Sequence, residues 1–174
     1  MNTKPSLPDA LCTRCGLCCD GSLFADVELA GKHEATALEI MGLEIEDAEL
    51  DEGALLLQPC SALRGKRCGI YPHRPGCCRA FACHLLQEVQ RGSVSIGAAK
   101  ARIAEALRQI ERIKKLVVQL GQRNARLPLK ERCVEALAHA EEAATQPRMN
   151  RKRAELETAI TSVEHLVRET FLGG

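Results

Sequence analysis

Ten cysteines stand in this chain of 174 residues, and nine of them fall between positions 12 and 83. The first block reads Cys12-Thr-Arg-Cys15-Gly-Leu-Cys18-Cys19. The second runs from Pro59-Cys60 through Cys68-Gly-Ile-Tyr71 to Arg74-Pro75-Gly-Cys77-Cys78-Arg79-Ala-Phe81-Ala-Cys83. Thiols this dense become either disulfides or metal ligands, and the two fates belong to different compartments. The first ten residues hold no apolar run of the seven or more, roughly, that an export signal needs. No stretch approaches the ~18 consecutive apolar residues of a membrane span. The sequence therefore predicts a cytoplasmic chain, free of the membrane, whose cysteines stay reduced and bind metal.

Structural zinc takes four nitrogen or sulfur ligands in a tetrahedron. Iron–sulfur clusters are also held by thiolates, and Cys12, Cys15 and Cys18 match the Cys-x2-Cys-x2-Cys opening of one such motif. Gly16 is expected to loosen that loop and Asp20-Gly21 to turn the chain away, leaving the second block to supply the fourth ligand. That block lacks the Cys-x2-Cys pair of a zinc knuckle, so spacing leaves zinc, iron and an iron–sulfur cluster all open. Neighbouring side chains diverge, so Cys18-Cys19 predicts either a second centre or one ligand beside one packed thiol. A helix is expected from about Cys78 to Gln90. On it Cys78 and Cys83 would lie roughly 140° apart, so both face one site only if the helix starts after Cys78. A helix start there would favour thiolate over thiol. Arg74 and Arg79 either offset the charge of such a centre or make ordinary salt bridges. His73 and His84 are expected to hydrogen-bond around the site rather than to ligate, and Cys77 to be spare. His33, His139 and His165 read as surface residues, and Cys133, on an apolar helical face, as a packing thiol.

The elements that must position these groups change character near Arg91-Gly92-Ser93. Residues 1–92 read as a small, irregular, metal-organised cysteine-cluster domain with a short β-hairpin. Residues 93–174 read as a three-helix bundle or hairpin, for interaction or packing, which makes the chain mainly α. Apolar residues make up 45% of the composition and aromatics only 2%, so the chain can be globular but must build its core from aliphatics. In the first part, residues 1–11 read as a loose arm and Asp26–Met41 as a helix with Asp26 as N-cap and Gly42 just past its end. Residues 43–47 and 53–58 read as short strands, and Gly65 as a tight turn that folds Cys60 and Cys68 toward each other. In the second part, Ile103, Ala106, Ile110, Ile113, Val117 and Leu120 repeat with spacings of 3 and 4, predicting a long helix over 95–120. A second helix from Pro128 presents Cys133, Leu137, Ala140 and Ala144 and is closed by Pro147. A third, from about Asn150, presents Leu156, Ile160, Val163 and Val167. The net charge of +1 hides −5 in residues 1–90 and +6 in 91–174.

The cysteine blocks and their neighbours together resemble the CxxCxxCC cysteine-cluster family of zinc- or iron-chelating domains, the YkgJ-like proteins. The resemblance rests on Cys12, Cys15, Cys18, Cys19, Pro59-Cys60, Cys68-Gly-Ile-Tyr71 and Arg74-Pro-Gly-Cys-Cys78-Arg-Ala-Phe-Ala-Cys83. It covers roughly residues 10–85 and leaves Cys77 and Cys133 outside the pattern. It implies metal ligation by Cys12, Cys15, Cys18, Cys19, Cys60, Cys68, Cys78 and Cys83, and it implies no settled activity.

The leading expectation is thus a metal-binding protein that carries zinc or iron. A second is an iron–sulfur-dependent enzyme or redox protein, or one related to protein lysine methylation, since a related cluster occurs in flagellin lysine methylases, which are larger. No Gly-x-Gly-x-x-Gly nucleotide loop follows a strand. A third is a module that binds a protein partner, self-associates or binds nucleic acid through its basic helices, among them Lys100, Arg102, Arg108, Arg112, Lys114, Lys115, Arg123 and Arg126. Phe171 is the only aromatic in that tail, which disfavours recognition of single strands by stacking.

Overall fold

The structure is a computed structural model that describes residues 7–48, 53–142 and 147–174. The chain is mainly α-helical with short strands, and it divides into two compact units at Ala82/Cys83.

The first unit opens with helix α1 (Leu7–Cys15), where sequence reasoning expected a loose arm; residues 1–6 lie outside the described residues. Leu11 and Leu17 are buried, which gives this segment an apolar anchor. Gly16 ends the helix at φ +74, a conformation that disfavours any residue with a Cβ, and its amide donates to the Cys12 carbonyl at 3.2 Å. A Cβ on Gly16 would come within 3.3 Å of the Lys66 Cα, so only glycine lets the two backbones approach so closely.

The helix expected over Asp26–Met41 is a correction. Asp26–Glu28 is strand β1, and the helix, α2, spans only Lys32–Ile40 with Gly31 as its N-cap. The alternation Asp26-Val27-Glu28-Leu29 is a strand period that the helical reading passed over. Gly42 does follow the helix end, donating to the Glu39 carbonyl at 2.8 Å. Strands β2 (Ile45–Asp47) and β3 (Ala54–Leu57) form as expected, and β3 is the centre of an antiparallel sheet ordered β1-β3-β2. Leu56 pairs with Val27 on one side and Ile45 on the other. Leu38, Ala35, Leu29, Leu43, Ala54, Leu56 and Ala62 form the core between α2 and the sheet.

Beyond the cis Gln58–Pro59 bond, strands β4 (Leu63–Arg64) and β5 (Arg67–Cys68) make the expected hairpin. Gly65 takes φ +63 at its two-residue turn, and Leu63 pairs with Cys68. A 3₁₀ turn (Tyr71–His73) then leads into α3 (Gly76–Ala80). The single helix expected from Cys78 to Gln90 is broken: Phe81 is extended (φ −68, ψ 124) and packs edge-on against Phe24 with ring centroids 5.3 Å apart.

The second unit begins at Cys83, the N-cap of α4 (His84–Gln90). Helix α5 (Ile96–Gln119) starts where Ser95 Oγ accepts from the Ala98 amide at 3.1 Å. The expected seam is buried along its length: Ile103, Ala106, Ile110, Ile113, Val117 and Leu120, with Ala99 and Leu116 beside it. Helix α6 (Leu129–Glu142) turns Leu129, Cys133 and Ala136 inward, leaving Leu137 half-buried. The expected roles of Ala140 and Ala144 lie outside the described side chains. Pro147, expected to close α6, is itself helical and is the first described residue of α7 (Pro147–Val167), where its fixed φ suits a first turn. Leu156 and Val163 are buried on α7, which continues into a π turn (Arg168–Leu172) carrying buried Phe171. Arg112 pairs with Glu155 at 2.7 Å, and Ser162 donates to Gln109 at 3.3 Å, tying α7 to α5.

Candidate metal centre

The first unit gathers cysteines by its backbone. Helix α1 carries Cys12 and Cys15, so these two are helical residues rather than members of the loose loop the spacing suggested. A tight turn follows, in which the amides of Cys19 and Asp20 both donate to the Gly16 carbonyl, at 3.0 and 3.1 Å. Leu17, between Cys15 and Cys18, is fully buried and pins this turn from within. The two sequence blocks then meet directly: the Cys60 amide donates to the Cys19 carbonyl at 2.8 Å. It is shared with the side chain of buried Gln58, whose Oε1 accepts at 3.1 Å. The β4–β5 hairpin returns Cys68 beside Cys60, and α3 brings Cys77 and Cys78. Cys77 Sγ lies 4.0 Å from Cys78 Sγ, and Cys77 is partly buried against the core around Leu38.

The electrostatics record this crowding. Burial pushes the Cys19 thiol up from 9.0 to about 12, and Cys60, Cys68, Asp20 and Cys12 push in the same direction. Cys78 is likewise raised to about 12, first by burial, then by Cys77, Cys19 and Cys60. Burial also raises Cys60, while the amides of Ala62 and Leu63 and the Arg64 guanidinium work against it. Each thiol resists ionising because apolar surroundings and other thiols stand where a cation would stabilise the charge. Cys83, at the head of the second unit, is raised by burial too, with the amides of Leu86 and Leu85 opposing.

Cys19, Cys60, Cys68 and Cys78 are therefore neighbours, with Cys12 and Cys77 alongside. They do not yet converge: among the described residues, no three His, Cys, Asp or Glu side chains are arranged to hold a metal ion in common. The donor set nonetheless suits zinc or iron, being soft, half-buried and sulfur-rich. The Ser22 hydroxyl, just past the Cys18-Cys19 turn, is buried with no hydrogen-bond partner, a polar atom that the protein alone does not satisfy.

The charged and aromatic neighbours act locally. The Arg74 guanidinium stacks over the Tyr71 ring at 3.6 Å, and its Nε donates to the Tyr71 carbonyl at 3.2 Å. Arg79 is exposed. The Cys60 thiol has a cation beside it in Arg64, which sequence reasoning did not single out; it also donates to the Ser61 carbonyl at 2.6 Å. His73 is exposed, and His84 Nδ1 lies 3.3 Å from the Glu169 carbonyl within the second unit. His33, His139 and His165 are exposed helical residues as expected, and Cys133 is buried. Glu34 was also missed: its Oε2 accepts from the Ala30 amide at 2.9 Å and its Oε1 from the Gly76 amide at 2.7 Å. Its signal was a glutamate three positions past Gly31, legible only once Gly31 is known to cap α2.

No helix among the described residues is long and apolar enough to cross a membrane. No curated protein and no solved structure matches the chain. Residues 11–105 match a family model described as "putative zinc- or iron-chelating domain", a span that takes in every cysteine but Cys133 and runs on into α5. With more than half its length matched, and with thiols from both sequence blocks folded into one neighbourhood, the chain belongs to the CxxCxxCC family.

Proposed function

We propose that this protein chelates zinc or iron through cysteine thiolates in a reducing, cytoplasmic setting. Its ligands are drawn from Cys12, Cys15, Cys18, Cys19, Cys60, Cys68, Cys78 and Cys83, and Cys19, Cys60, Cys68 and Cys78 form the nucleus of the set. The observation that carries this reading is the joining of the two blocks at Cys19 and Cys60, whose backbones are hydrogen-bonded at 2.8 Å. A cation placed among these thiols would offset the burial, and the neighbouring sulfurs, that disfavour ionised Cys19 and Cys78, so binding would release protons. Bound metal supplies the cross-link that a core of Leu and Ala cannot. Residues 1–92 then act as the metal-binding domain, and 93–174 as a helical domain for packing or interaction.

A second reading keeps the same ligands but fills them with an iron–sulfur cluster, favoured by the Cys12-x2-Cys15-x2-Cys18 run lying on α1 and the turn beside Cys19. Anaerobic purification with elemental analysis and a visible spectrum decides between them. A colourless protein with stoichiometric zinc supports the first, and a brown, reducible one the second. Cys19→Ser and Cys60→Ser are expected to lose the metal, while Cys77→Ser and Cys133→Ser retain it. Fully reduced protein that takes up neither metal, or full retention in both of the first two variants, would overturn the proposal.

A further inference from the structure

We propose that Glu34 is a positioning residue for the metal centre, its carboxylate fixing the place of the short helix that carries Cys77 and Cys78. The inference rests on the reading of Cys78 as a metal ligand.

Glycine at the N-cap of α2 offers no side-chain acceptor, so the first amides of that helix must be satisfied from elsewhere. Glu34 occupies the third helical position, from which a carboxylate ordinarily reaches back to the start of its own helix. Here neither oxygen bonds an amide of α2 itself: Oε2 accepts from Ala30, the residue before the N-cap, at 2.9 Å. The other, Oε1, reaches across 42 residues of sequence to the Gly76 amide at 2.7 Å. Hydrogen bonds to a charged acceptor are about twice as strong as neutral ones.

Helix α3 depends on such help. It has five residues, and its turn is closed by Arg79 N to Pro75 O at 3.1 Å and Phe81 N to Cys77 O at 3.0 Å. A helix that short does not sustain itself in water. Helix α2, by contrast, is locked to the sheet by buried Ala35 and Leu38. Glu34 therefore transmits the position of a packed element to a marginal one, two residues before Cys78. Groups that orient metal ligands in this way typically contribute about 10–100-fold to metal affinity.

The test uses the full chain, zinc competition titrations, and cobalt(II) as a spectroscopic probe of the thiolate shell. E34A removes both hydrogen bonds. G76P removes the donor, and its ring Cδ, placed where the amide hydrogen pointed, also pushes the Glu34 carboxylate from its position 2.7 Å from that nitrogen; proline otherwise suits the first helical position, and Pro75 already has the extended backbone (φ −59, ψ 160) that must precede it. Each variant is expected to weaken zinc about 10–100-fold and to alter the cobalt–thiolate bands in the same way. The double variant should be no worse than either single one, because both cut one link. E34Q, which preserves volume and one acceptor oxygen, should lose less, and it carries the test if E34A fails to fold. Wild-type affinity and spectrum in E34Q and G76P, or fully additive losses in the double variant, would overturn the inference alone. A wild-type protein that binds neither zinc nor cobalt would overturn the chelation reading and this inference with it.

Discussion

The two units reach a folded state by different means. In the helical unit, α5 buries a continuous stripe from Ala99 to Leu120 against α6 and α7, with Phe171 and Leu156 fully enclosed. Burying one such aliphatic or aromatic side chain is worth about 1.5–3 kcal/mol. In the cysteine-rich unit, the core includes Ala35, Ala54 and Ala62 among its few members, the strands are two to four residues long, and polar links such as Glu34 and Gln58 hold the turns. Regular periodic packing fills one unit, whereas the other combines a small apolar core with a neighbourhood of thiols. Under the proposed chelation, packing and metal binding are separable along the chain, and each can be perturbed alone.

Metal removal should give the largest contrast. Structural zinc contributes about 10–16 kcal/mol of apparent folding energy, against a total domain stability of about 5–15 kcal/mol. A strong chelator is expected to collapse the dispersion of amide resonances from residues 7–82 while α5 and α7 keep their helical signals. Unchanged dispersion in the first unit would erase the distinction drawn here. The reciprocal experiment is Ile110→Ala, at a position 2% exposed in the middle of the α5 seam. It should cost about 2–5 kcal/mol in denaturant unfolding of the helical unit and leave metal stoichiometry intact.

A pH titration sharpens the contrast further. Cys19 and Cys78 are held near 12 in the metal-free fold against an ordinary 9.0, so the folded state keeps protons that the unfolded chain releases. In the metal-free protein, whatever order survives in the first unit should therefore be greatest below about pH 9 and be lost as pH rises toward 12. In the loaded protein that decline should vanish for the first unit, since its thiols are already deprotonated. Cys133, raised to about 11 by burial, leaves a smaller metal-independent decline in the helical unit that Cys133→Ser removes. The smallest effect is expected of Gly16→Ala. At φ +74 it should cost about 1–2 kcal/mol, and the crowding against Lys66 should weaken zinc binding without altering the melting of α5.

Where one periodicity runs long enough, the chain can be read directly. The Ile103–Leu120 seam, Ser95 and the Gly65 hairpin all stand where their patterns place them, because each depends on local spacing. Asp26–Met41 misled because three residues of strand alternation precede a helix, and the sheet partner that decides the matter, Leu56 opposite Val27, lies far away in sequence. Pro147 misled because proline both ends and begins helices. The cysteines themselves were conspicuous, yet their grouping was not: Cys19 with Cys60 depends on one long-range backbone bond. Glu34 was invisible for the same reason, as its second partner, Gly76, is brought near only by folding.

Cys133 gives the molecule a built-in clock. It sits 7% exposed on α6, outside the family's cysteine pattern, in the helical unit. An alkylating reagent reaches it only when the helices open, whereas the eight proposed ligand sulfurs would be shielded by bound metal. Mass spectrometry of one timed labelling reaction would therefore follow both lifetimes at once, in a single tube and without a single substitution.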